Sequence, residues 1–361
     1  MAGSPRAAQD LIVRSADPFN AEPAPGRLVD SFLTAQADFY VRSHGRVPAL
    51  APEHRVVVDG LVDRPLAFTL ADLRSGYLER RVTSTMQCAG NRRAAFQPVA
   101  TTKGDPWQVG AIGTAEWTGV ALADVFADAG VQQEARHVAF TCCDDVEVEG
   151  ETAAYGVSIP LAKALGRDVL IAWAMNGEAL LPEHGAPLRL VVPGYAGVRS
   201  AKWLSRIEVR ATPSAAPIQA RDYKLFPASV KAGEVDWEQG LTINEMPINA
   251  AICDPVEGAT IAGGRRIVRG YAVASGRAVS RVEVSTDGGG EWRQATLTRR
   301  PDAPEAWVQW HVEVDLAPGA HELVVRAFDA AGQGQPERPD SLWNFAGYLS
   351  HAWHRVPVMV E

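Results

Sequence analysis

Five β-type segments separated by glycine-rich turns occupy the last third of the chain and restrict its fold most strongly. The segments are residues 267–273, 279–285, 293–297, 307–316 and 321–328. Turn-forming stretches, including Asp287-Gly-Gly-Gly290 and Ala317-Pro-Gly-Ala320, lie between them. Short strands at even spacing with glycine turns are typical of a β-sandwich of immunoglobulin type. We therefore predict an immunoglobulin-like domain over residues 236–361.

The preceding residues carry helix signals of a different kind. Thr69 and Asp72 form a capping-box pattern that predicts a short helix. The segment 122–129 predicts a second helix, which Gly130 should end. The segment 158–161, with its early proline, predicts the start of a third helix.

Strand signals alternate with these helices. Asn176-Gly177 follows an apolar run and predicts a tight hairpin turn. Strands are predicted at residues 56–58, 66–68, 82–86, 169–175 and 188–192. The fold class is therefore α+β, with a mixed first domain over residues 1–235 and a β-sandwich after it.

Composition and charge narrow the range of partners. The chain has 361 residues, of which 47% are hydrophobic, so two domains with ample core are expected. A net charge of −8 argues against nucleic acid or an anionic membrane as the main partner.

The cysteines and the chain start bear on location. Cys88, Cys142, Cys143 and Cys253 form no CxxC pair, and a reduced compartment is the simpler interpretation. The first ten residues lack the apolar core of a signal peptide, and no apolar run approaches the roughly 20 residues that span a bilayer. We predict a soluble, cytoplasmic protein, or a periplasmic one if an export signal has been removed.

The segment Met-Gln-Cys-Ala-Gly-Asn-Arg-Arg at residues 86–93 carries the clearest chemistry. A predicted strand ends at Cys88, and small, turn-forming residues follow it. A thiolate beside fixed positive charge is expected to have a lowered pKa and can bind a soft metal. Arg92 and Arg93 could hold an oxyanion with their forked donors. Arg92 could equally form a structural salt bridge, and we leave it out of the predicted catalytic set.

Taken together, several blocks of the sequence resemble the sulfite oxidase family of molybdenum enzymes. They follow the family's order along nearly the whole chain. The matching blocks are residues 18–22, 39–44, 86–93, 110–117, 175–178, 184–189, 191–194, 199–204, 221–224 and 353–356.

This resemblance implies a molybdenum–molybdopterin cofactor in the first domain and homodimerisation through the second. It also implies oxidation of sulfite to sulfate with electrons passed to an external acceptor, either a cytochrome or dioxygen. Cys88 would be the metal's protein ligand, since a soft thiolate suits a metal already held by pterin sulfurs. The sequence contains no haem-binding domain, no flavin domain and no nicotinamide fingerprint, so we predict neither haem nor flavin.

The family pattern also places the cofactor and substrate contacts. Arg189 and Lys202 are the implied phosphate partners. The implied cofactor-binding residues are Tyr40, Arg42, His44, Cys88, Asp144, His184, Arg189, Ser200 and Lys202. The implied catalytic residues, which form a pocket for a small oxyanion, are Arg42, Arg93, Lys103, Trp107 and Tyr223. Lys103 could instead be a solvated surface lysine, and Trp107 could be a packing residue.

One position departs from the family pattern. Relatives commonly have Trp-Asn-Leu-Arg-Gly before the C-terminal strand, whereas this chain has Trp-Asn-Phe-Ala-Gly at residues 343–347. Ala346 thus replaces an expected anion-binding arginine. The substrate could be sulfite bound more weakly, or a less charged or larger molecule.

Three other functions remain open from the sequence. One is reduction of a sulfoxide, nitrate or another oxidised substrate on the same cofactor. Another is a cofactor-free binding protein on this scaffold, and a third is a hydrolase that uses Cys88 with a histidine.

Overall fold

The computed structural model describes residues 11–51, 53–148 and 150–361, and strands dominate it. The helices are α1 (Leu70–Gly76), α2 (Leu122–Ala129), α3 (Leu161–Ala164) and α4 (Pro217–Ala220). The strands before the sandwich are β1 (Leu11–Ala16), β2 (Phe19–Pro23), β3 (Val56–Gly60), β4 (Leu66–Phe68), β5 (Arg80–Gln87), β6 (Ile112–Ala121), β7 (His137–Val148), β8 (Glu151–Pro160), β9 (Leu170–Met175), β10 (Glu178–Ala179), β11 (Arg189–Val191), β12 (Leu204–Arg210), β13 (Lys224–Leu225) and β14 (Leu241–Thr242).

Two five-stranded sheets form the first part of the molecule. One has the order β10-β9-β6-β5, with β11 also paired to β9, and the other has the order β4-β3-β12-β7-β8. A large apolar cluster joins them through buried side chains such as Val120, Phe140 and Ile171. A separate apolar cluster contains Met86 and Cys88 beside Trp117 of β6. The end of β5 is therefore held inside the protein rather than at its surface.

Local signals in the sequence produce the predicted capping box and hairpin. The Thr69 hydroxyl accepts from the Asp72 N–H at 3.2 Å, and the Asp72 carboxylate accepts from the Thr69 N–H at 2.8 Å. Asn176 and Gly177 have φ values of 52° and 80°, which suit a two-residue turn between β9 and β10. The predicted helix 122–129 is also confirmed as α2, and Gly130 ends it with a φ of 71°.

The predicted helix start at residues 158–161 is wrong for its first three residues. Ser158, Ile159 and Pro160 pair with Ala139, Val138 and His137 of β7, so they complete β8. Helix α3 begins at Leu161, with Pro160 as its N-cap. The pairing between strands outweighs the local helix signal here.

The predicted β-sandwich is confirmed. One sheet has the order β15-β17-β21-β20 and the other β16-β23-β22-β18-β19. Its strands are β15 (Asn249–Asp254), β16 (Thr260–Ile261), β17 (Gly264–Val273), β18 (Val279–Ser285), β19 (Arg293–Gln294), β20 (Thr296–Thr298), β21 (Val308–Leu316), β22 (Gly319–Asp329) and β23 (His354–Val360). Alternate residues of β21 are buried between the sheets, as a half-buried strand requires.

The segment 293–297 is two strands rather than the predicted one. Strand β19 pairs with β18 in one sheet, and β20 pairs with β21 in the other. The chain crosses between the sheets at Ala295, which is buried and donates its N–H to Val282. A change of sheet within five residues cannot be seen in a continuous β-type run.

The sandwich packs directly on the first part of the chain. Tyr271 and Trp307 form an apolar cluster with Leu28, Val109 and Ile112. The short strand β13 pairs with β14 across the predicted domain boundary at residues 235 and 236. That boundary stays a prediction, and residues 1–10, 52 and 149 of the predicted first domain, including the segment considered as a signal peptide, lie outside the described residues.

Two further features of the described residues concern the cysteines and the length of the helices. The four cysteines are all free. Within the described ranges, no helix has the length and apolar character needed to cross a membrane.

Candidate active site

Cys88 lies on a tight turn directly after β5, as predicted. Its N–H donates to the Ala111 carbonyl at 2.9 Å, and its own carbonyl accepts from the Asn91 N–H at 2.9 Å. The sulfur accepts from the Gly90 N–H at 3.4 Å. The contacts of Cys88 itself within this turn are therefore all with backbone N–H and carbonyl groups.

A cavity lies against this sulfur. It brings together side chains from segments that are far apart in the sequence. All nine residues predicted to bind the cofactor line it, and so does the predicted catalytic tyrosine: Tyr40, Arg42, His44, Cys88, Asp144, His184, Arg189, Ser200, Lys202 and Tyr223.

The cavity wall contains cations that pair mostly with neutral acceptors. Arg189 donates to the carbonyls of His184 at 2.7 Å and Ser200 at 3.1 Å, and Arg42 donates to the Ser43 carbonyl. Lys202 donates to the Ser43 hydroxyl at 2.8 Å and to the Glu183 carbonyl at 2.9 Å. None of these three cations has an ion pair of 4 Å or less among the described residues. The wall thus holds three cations, while the two carboxyl groups that also line it, Asp144 and Glu183, form no ion pair with them within 4 Å.

Burial makes the charged forms of Arg189 and Lys202 less stable than they would be in water. It lowers the pKa of Arg189 to about 10, and burial together with repulsion from Arg189 lowers the pKa of Lys202. Burial raises the pKa of Asp144, whose Oδ1 atom is buried without a hydrogen-bond partner. His184 has its pKa lowered to about 3 by burial, so its ring is neutral and contacts the Gln36 carbonyl at 3.0 Å.

This donor set fits an anionic, many-oxygen cofactor such as a pterin phosphate. Buried cations without carboxylate partners are stabilised when an anion of the ligand completes their coordination. No cluster of three or more His, Cys, Asp or Glu side chains suited to a metal occurs within the described residues. A metal at Cys88 would therefore need most of its ligands from a cofactor rather than from the protein.

Tyr223 lies at the end of the cavity near the cysteine. Its hydroxyl is 2.7 Å from a ring nitrogen of His44, and its ring stacks on Tyr348 with centroids 4.9 Å apart. Its backbone is left-handed, with a φ of 53°. Burial raises the pKa of Tyr223 to about 12, so the phenol is protonated at neutral pH and can donate a hydrogen bond.

Three predicted catalytic residues do not line this cavity. Arg93 is buried beside it, and its guanidinium donates to the carbonyls of Asp105, Ala346 and Gly347. Lys103 is exposed, with its ammonium 5.9 Å from the Phe345 ring.

Trp107, the third of them, is fully buried in the apolar cluster that contains Cys88. Its indole N–H has no hydrogen-bond partner among the described residues, so it retains a free donor next to the cysteine. The roles predicted for Arg93, Lys103 and Trp107 stay predictions.

The prediction that the Cys88 pKa is lowered is wrong for the protein without a bound metal or cofactor. Burial raises the pKa of the thiol, although Arg93 and Arg42 act in the opposite direction. The positive charge is present as predicted, but the sulfur is only 5% exposed, and desolvation disfavours a thiolate. No histidine is hydrogen-bonded to the sulfur in the part of the chain that the structure describes, so a cysteine–histidine hydrolase has no support.

The turn around Ala346 lies against Arg93. Asn344 ties this turn together, because its side chain donates to the Tyr348 carbonyl at 2.8 Å and accepts from the Tyr348 N–H at 3.0 Å. Ala346 is therefore close enough to the predicted anion pocket for the missing arginine to matter, and its backbone carbonyl accepts from Arg93.

Sequence reasoning missed two aromatic residues of the site. The Tyr155 ring lies 5.3 Å from the His44 ring, and the Arg93 guanidinium lies 5.4 Å from the centre of the Tyr348 ring. Tyr348 directly follows the segment that departs from the family pattern, and this position was the available signal. Tyr155 offered none, since a single tyrosine in a strand is ordinary.

Comparison with known proteins gives two family matches. The family described as "Oxidoreductase molybdopterin binding domain" matches residues 44–218. The family described as "Mo-co oxidoreductase dimerisation domain" matches residues 241–361. Together the two matches cover most of the described chain.

Several curated relatives align along almost the whole chain. Sulfite oxidase from Gallus gallus is 41% identical over 98% of this chain and 79% of its own. Mitochondrial sulfite oxidase from Homo sapiens is also 41% identical, over 97% of this chain and 66% of its own, so this chain spans about two thirds of that relative. A nitrate reductase from Phaseolus vulgaris is 37% identical over 95% of this chain and 42% of its own.

A solved structure has the same fold. The sulfane dehydrogenase SoxCD from Paracoccus pantotrophus superimposes with a TM-score of 0.80 and covers 98% of this chain and 90% of its own. Its sequence identity is 24%, so this likeness concerns the fold alone.

The close packing of Gly347 against Arg93 yields a stability prediction. Gly347 has a φ of 64°, and a Cβ atom there would lie 2.6 Å from Arg93 Cγ. Gly347→Ala should therefore lower the free energy of unfolding by about 2–4 kcal/mol, through backbone strain and displacement of Arg93. Urea denaturation measures this change.

Gly332→Ala is the matched control. Its φ is 77°, and nothing lies within 4 Å of the added Cβ, so only the backbone strain of about 1 kcal/mol applies. Equal losses of stability in the two variants would show that the packing of Gly347 on Arg93 has no importance.

Proposed function

Because the chain belongs to the sulfite oxidase family of molybdenum–molybdopterin enzymes, we propose that it oxidises sulfite to sulfate. The reaction adds an oxygen from water to sulfite and releases two protons and two electrons. The observation that carries this proposal is one cavity that joins Cys88 and Tyr223 to a wall with a buried cation, Arg189, and two half-buried ones, Arg42 and Lys202.

The cofactor would be held by the side chains of that wall. Arg189 and Lys202 supply the positive charge for the phosphate, with Ser200 beside them. Tyr40, Arg42, His44, Asp144 and His184 supply further donors and acceptors around the pterin. Cys88 would bind molybdenum through its sulfur, and the bound cofactor supplies the two-electron redox chemistry.

The substrate would be held by arginines and oriented by the phenol. Sulfite carries up to two negative charges, so Arg42 and Arg93 would provide charge complementarity, and we assign supporting roles to Trp107 and Lys103. Tyr223 can donate a hydrogen bond from a hydroxyl that His44 already positions at 2.7 Å. The buried setting strengthens these interactions because water does not screen them.

The surroundings of the enzyme are also part of the proposal. We propose a homodimer formed through the second domain, a cytoplasmic location, and a domain boundary between residues 235 and 236. The electrons would pass to an external acceptor, either a cytochrome or dioxygen.

A second candidate is reduction of a less charged oxidised substrate, such as a sulfoxide or nitrate. Ala346 favours it, because the turn that contacts Arg93 lacks the expected arginine and so offers one cation fewer to an anionic substrate. The relatives favour sulfite oxidation, since two sulfite oxidases are 41% identical to this chain and the nitrate reductase is 37% identical.

Steady-state kinetics distinguishes the two candidates. We expect purified, molybdenum-loaded enzyme to reduce ferricyanide with sulfite, and Cys88→Ser to abolish that turnover while the protein still folds. A hydroxyl is a poor ligand for this metal. The sulfite assignment is wrong if fully loaded enzyme shows no turnover with sulfite, or if Cys88→Ser stays active.

Lys202→Met tests the phosphate contact. Removing a charged hydrogen bond of about 1.5–3 kcal/mol should reduce cofactor retention roughly ten- to a hundredfold. We expect the cofactor-free variant to be no less stable than the wild type, because burial and Arg189 already disfavour the ammonium. Molybdenum content after dialysis and urea denaturation measure the two effects.

Lys231→Met is the control for that variant, because Lys231 is exposed and does not line the cavity. Full metal retention in Lys202→Met, equal to that in the control, would rule out the phosphate contact.

Ala346→Arg tests the altered position. A restored guanidinium beside the anion should add about 1.5–3 kcal/mol, which is roughly ten- to a hundredfold in affinity. We therefore expect a lower KM for sulfite, measured with ferricyanide as acceptor. An unchanged or raised KM would mean that another residue already occupies this role or that the pocket does not bind sulfite.

A further inference from the structure

The turn that carries Cys88 is fastened to the second domain at four places. The Ala89 carbonyl accepts from the Leu349 N–H at 2.8 Å. The Asn91 side chain donates to the Tyr271 hydroxyl at 2.9 Å. Arg92 and Arg93 also donate to acceptors beyond residue 240. Every residue from Ala89 to Arg93 except Gly90 therefore contacts the other half of the protein.

Tyr271 is a rigid anchor for this turn. It lies in β17, is fully buried, and stacks on Trp307 with ring centroids 5.6 Å apart. Its hydroxyl donates to the Val109 carbonyl at 2.9 Å while it accepts from Asn91. One phenol oxygen of the sandwich thus contacts two segments around the cysteine. The first is the turn itself, through Asn91, and the second is the segment from Val109 to Ala111, whose Ala111 carbonyl accepts from the Cys88 N–H.

Arg92 is the second anchor. Its buried, uncharged surroundings raise the free energy of its positive charge. Its side chain is 2% exposed and donates to the Asn249 side chain at 2.7 Å and to the Ala250 carbonyl at 3.2 Å. Its Nε atom is buried without a partner, and its backbone is left-handed with a φ of 63°. The predicted alternative for Arg92, a structural salt bridge, is not among the ion pairs of the described residues.

Stability alone does not account for these features. A buried cation with neutral partners and an unsatisfied N–H costs free energy, and so does a left-handed backbone in a residue other than glycine. Both costs fall within the turn that presents the sulfur. Partners behind a metal ligand fix its direction, and small displacements of the ligand change the properties of the metal.

We propose that Asn91, Arg92 and Tyr271 are positioning residues through which the second domain fixes the Cys88 sulfur relative to the metal. The sandwich is then part of the active site's support as well as a dimerisation domain. This inference rests on the proposed role of Cys88 as the molybdenum ligand. It assigns no contact with substrate or cofactor to these three residues.

Tyr271→Phe is the most direct test, because it removes one oxygen atom and keeps the ring that stacks on Trp307. The holoenzyme should show an altered electron paramagnetic resonance spectrum when molybdenum is reduced by one electron. The kcat for sulfite should fall roughly two- to tenfold, the range expected for the one hydrogen bond that ties Asn91 to the sandwich, while KM stays within about twofold. Arg92→Lys keeps the positive charge but removes the planar guanidinium group that donates to Asn249 and Ala250, so it should shift the spectrum in the same way.

Val325→Ala is the matched control for loss of stability in the sandwich. Val325 is fully buried in the sandwich core, which contains no residue of the cysteine turn. We expect this variant to have a lower free energy of unfolding but the wild-type spectrum and kcat.

The outcomes separate this inference from the function on which it rests. A wild-type enzyme without bound molybdenum overturns both. A wild-type enzyme with the signal, together with a Tyr271→Phe spectrum identical to it, overturns only the positioning role. The same conclusion follows if Val325→Ala changes the spectrum as much as Tyr271→Phe does.

Discussion

The site depends on positive charge that the protein holds away from solvent without pairing it closely to a carboxylate. Arg42, Arg189 and Lys202 line one cavity, and their hydrogen bonds go mainly to backbone carbonyls and a hydroxyl. Burial lowers the pKa of Arg189 and Lys202, which is the thermodynamic expression of this cost. A globular protein keeps such an arrangement when a ligand supplies the missing negative charge. The phosphate and substrate of a molybdopterin enzyme both have that charge.

The second constraint is the shared support of the cysteine turn. The backbone of β5 and the Ala111 carbonyl hold Cys88 from the first domain. Tyr271 and Asn249 hold the next residues of the same turn from the sandwich. Neither half alone defines the position of the sulfur. This explains why an all-β domain without predicted redox residues packs so closely against the catalytic part.

Local chemistry explains which parts of the fold the sequence predicts well. The capping box at Thr69, the Asn176-Gly177 turn and the alternating strands of the sandwich are each decided within a few residues. The helix prediction for Ser158 to Pro160 was wrong because the strand partners of these residues, in β7, are about twenty residues away in the sequence. The prediction of one strand over residues 293–297 was wrong because residue type does not show where a chain passes from one sheet to the other.

The same distinction between local and long-range information explains which features of the site could be predicted. The cavity residues were found through the resemblance, since no spacing rule joins Tyr40 to Lys202. The pKa of Cys88 was wrongly expected to be low, because the sequence displays the arginines beside the thiol but not its burial. Arg92 could not be placed because its partner Asn249 lies 157 residues away. Only the folded chain shows that Arg92, next to the predicted catalytic Arg93, belongs to the interface between the two parts of the chain.

The central claim is that the Cys88 sulfur binds molybdenum within the cation-lined cavity. Anomalous diffraction from crystals of the purified enzyme, recorded on both sides of the molybdenum absorption edge, measures this directly. The account predicts one strong peak per chain within bonding distance of Cys88 Sγ. A peak at another place, or none in active enzyme, would contradict it.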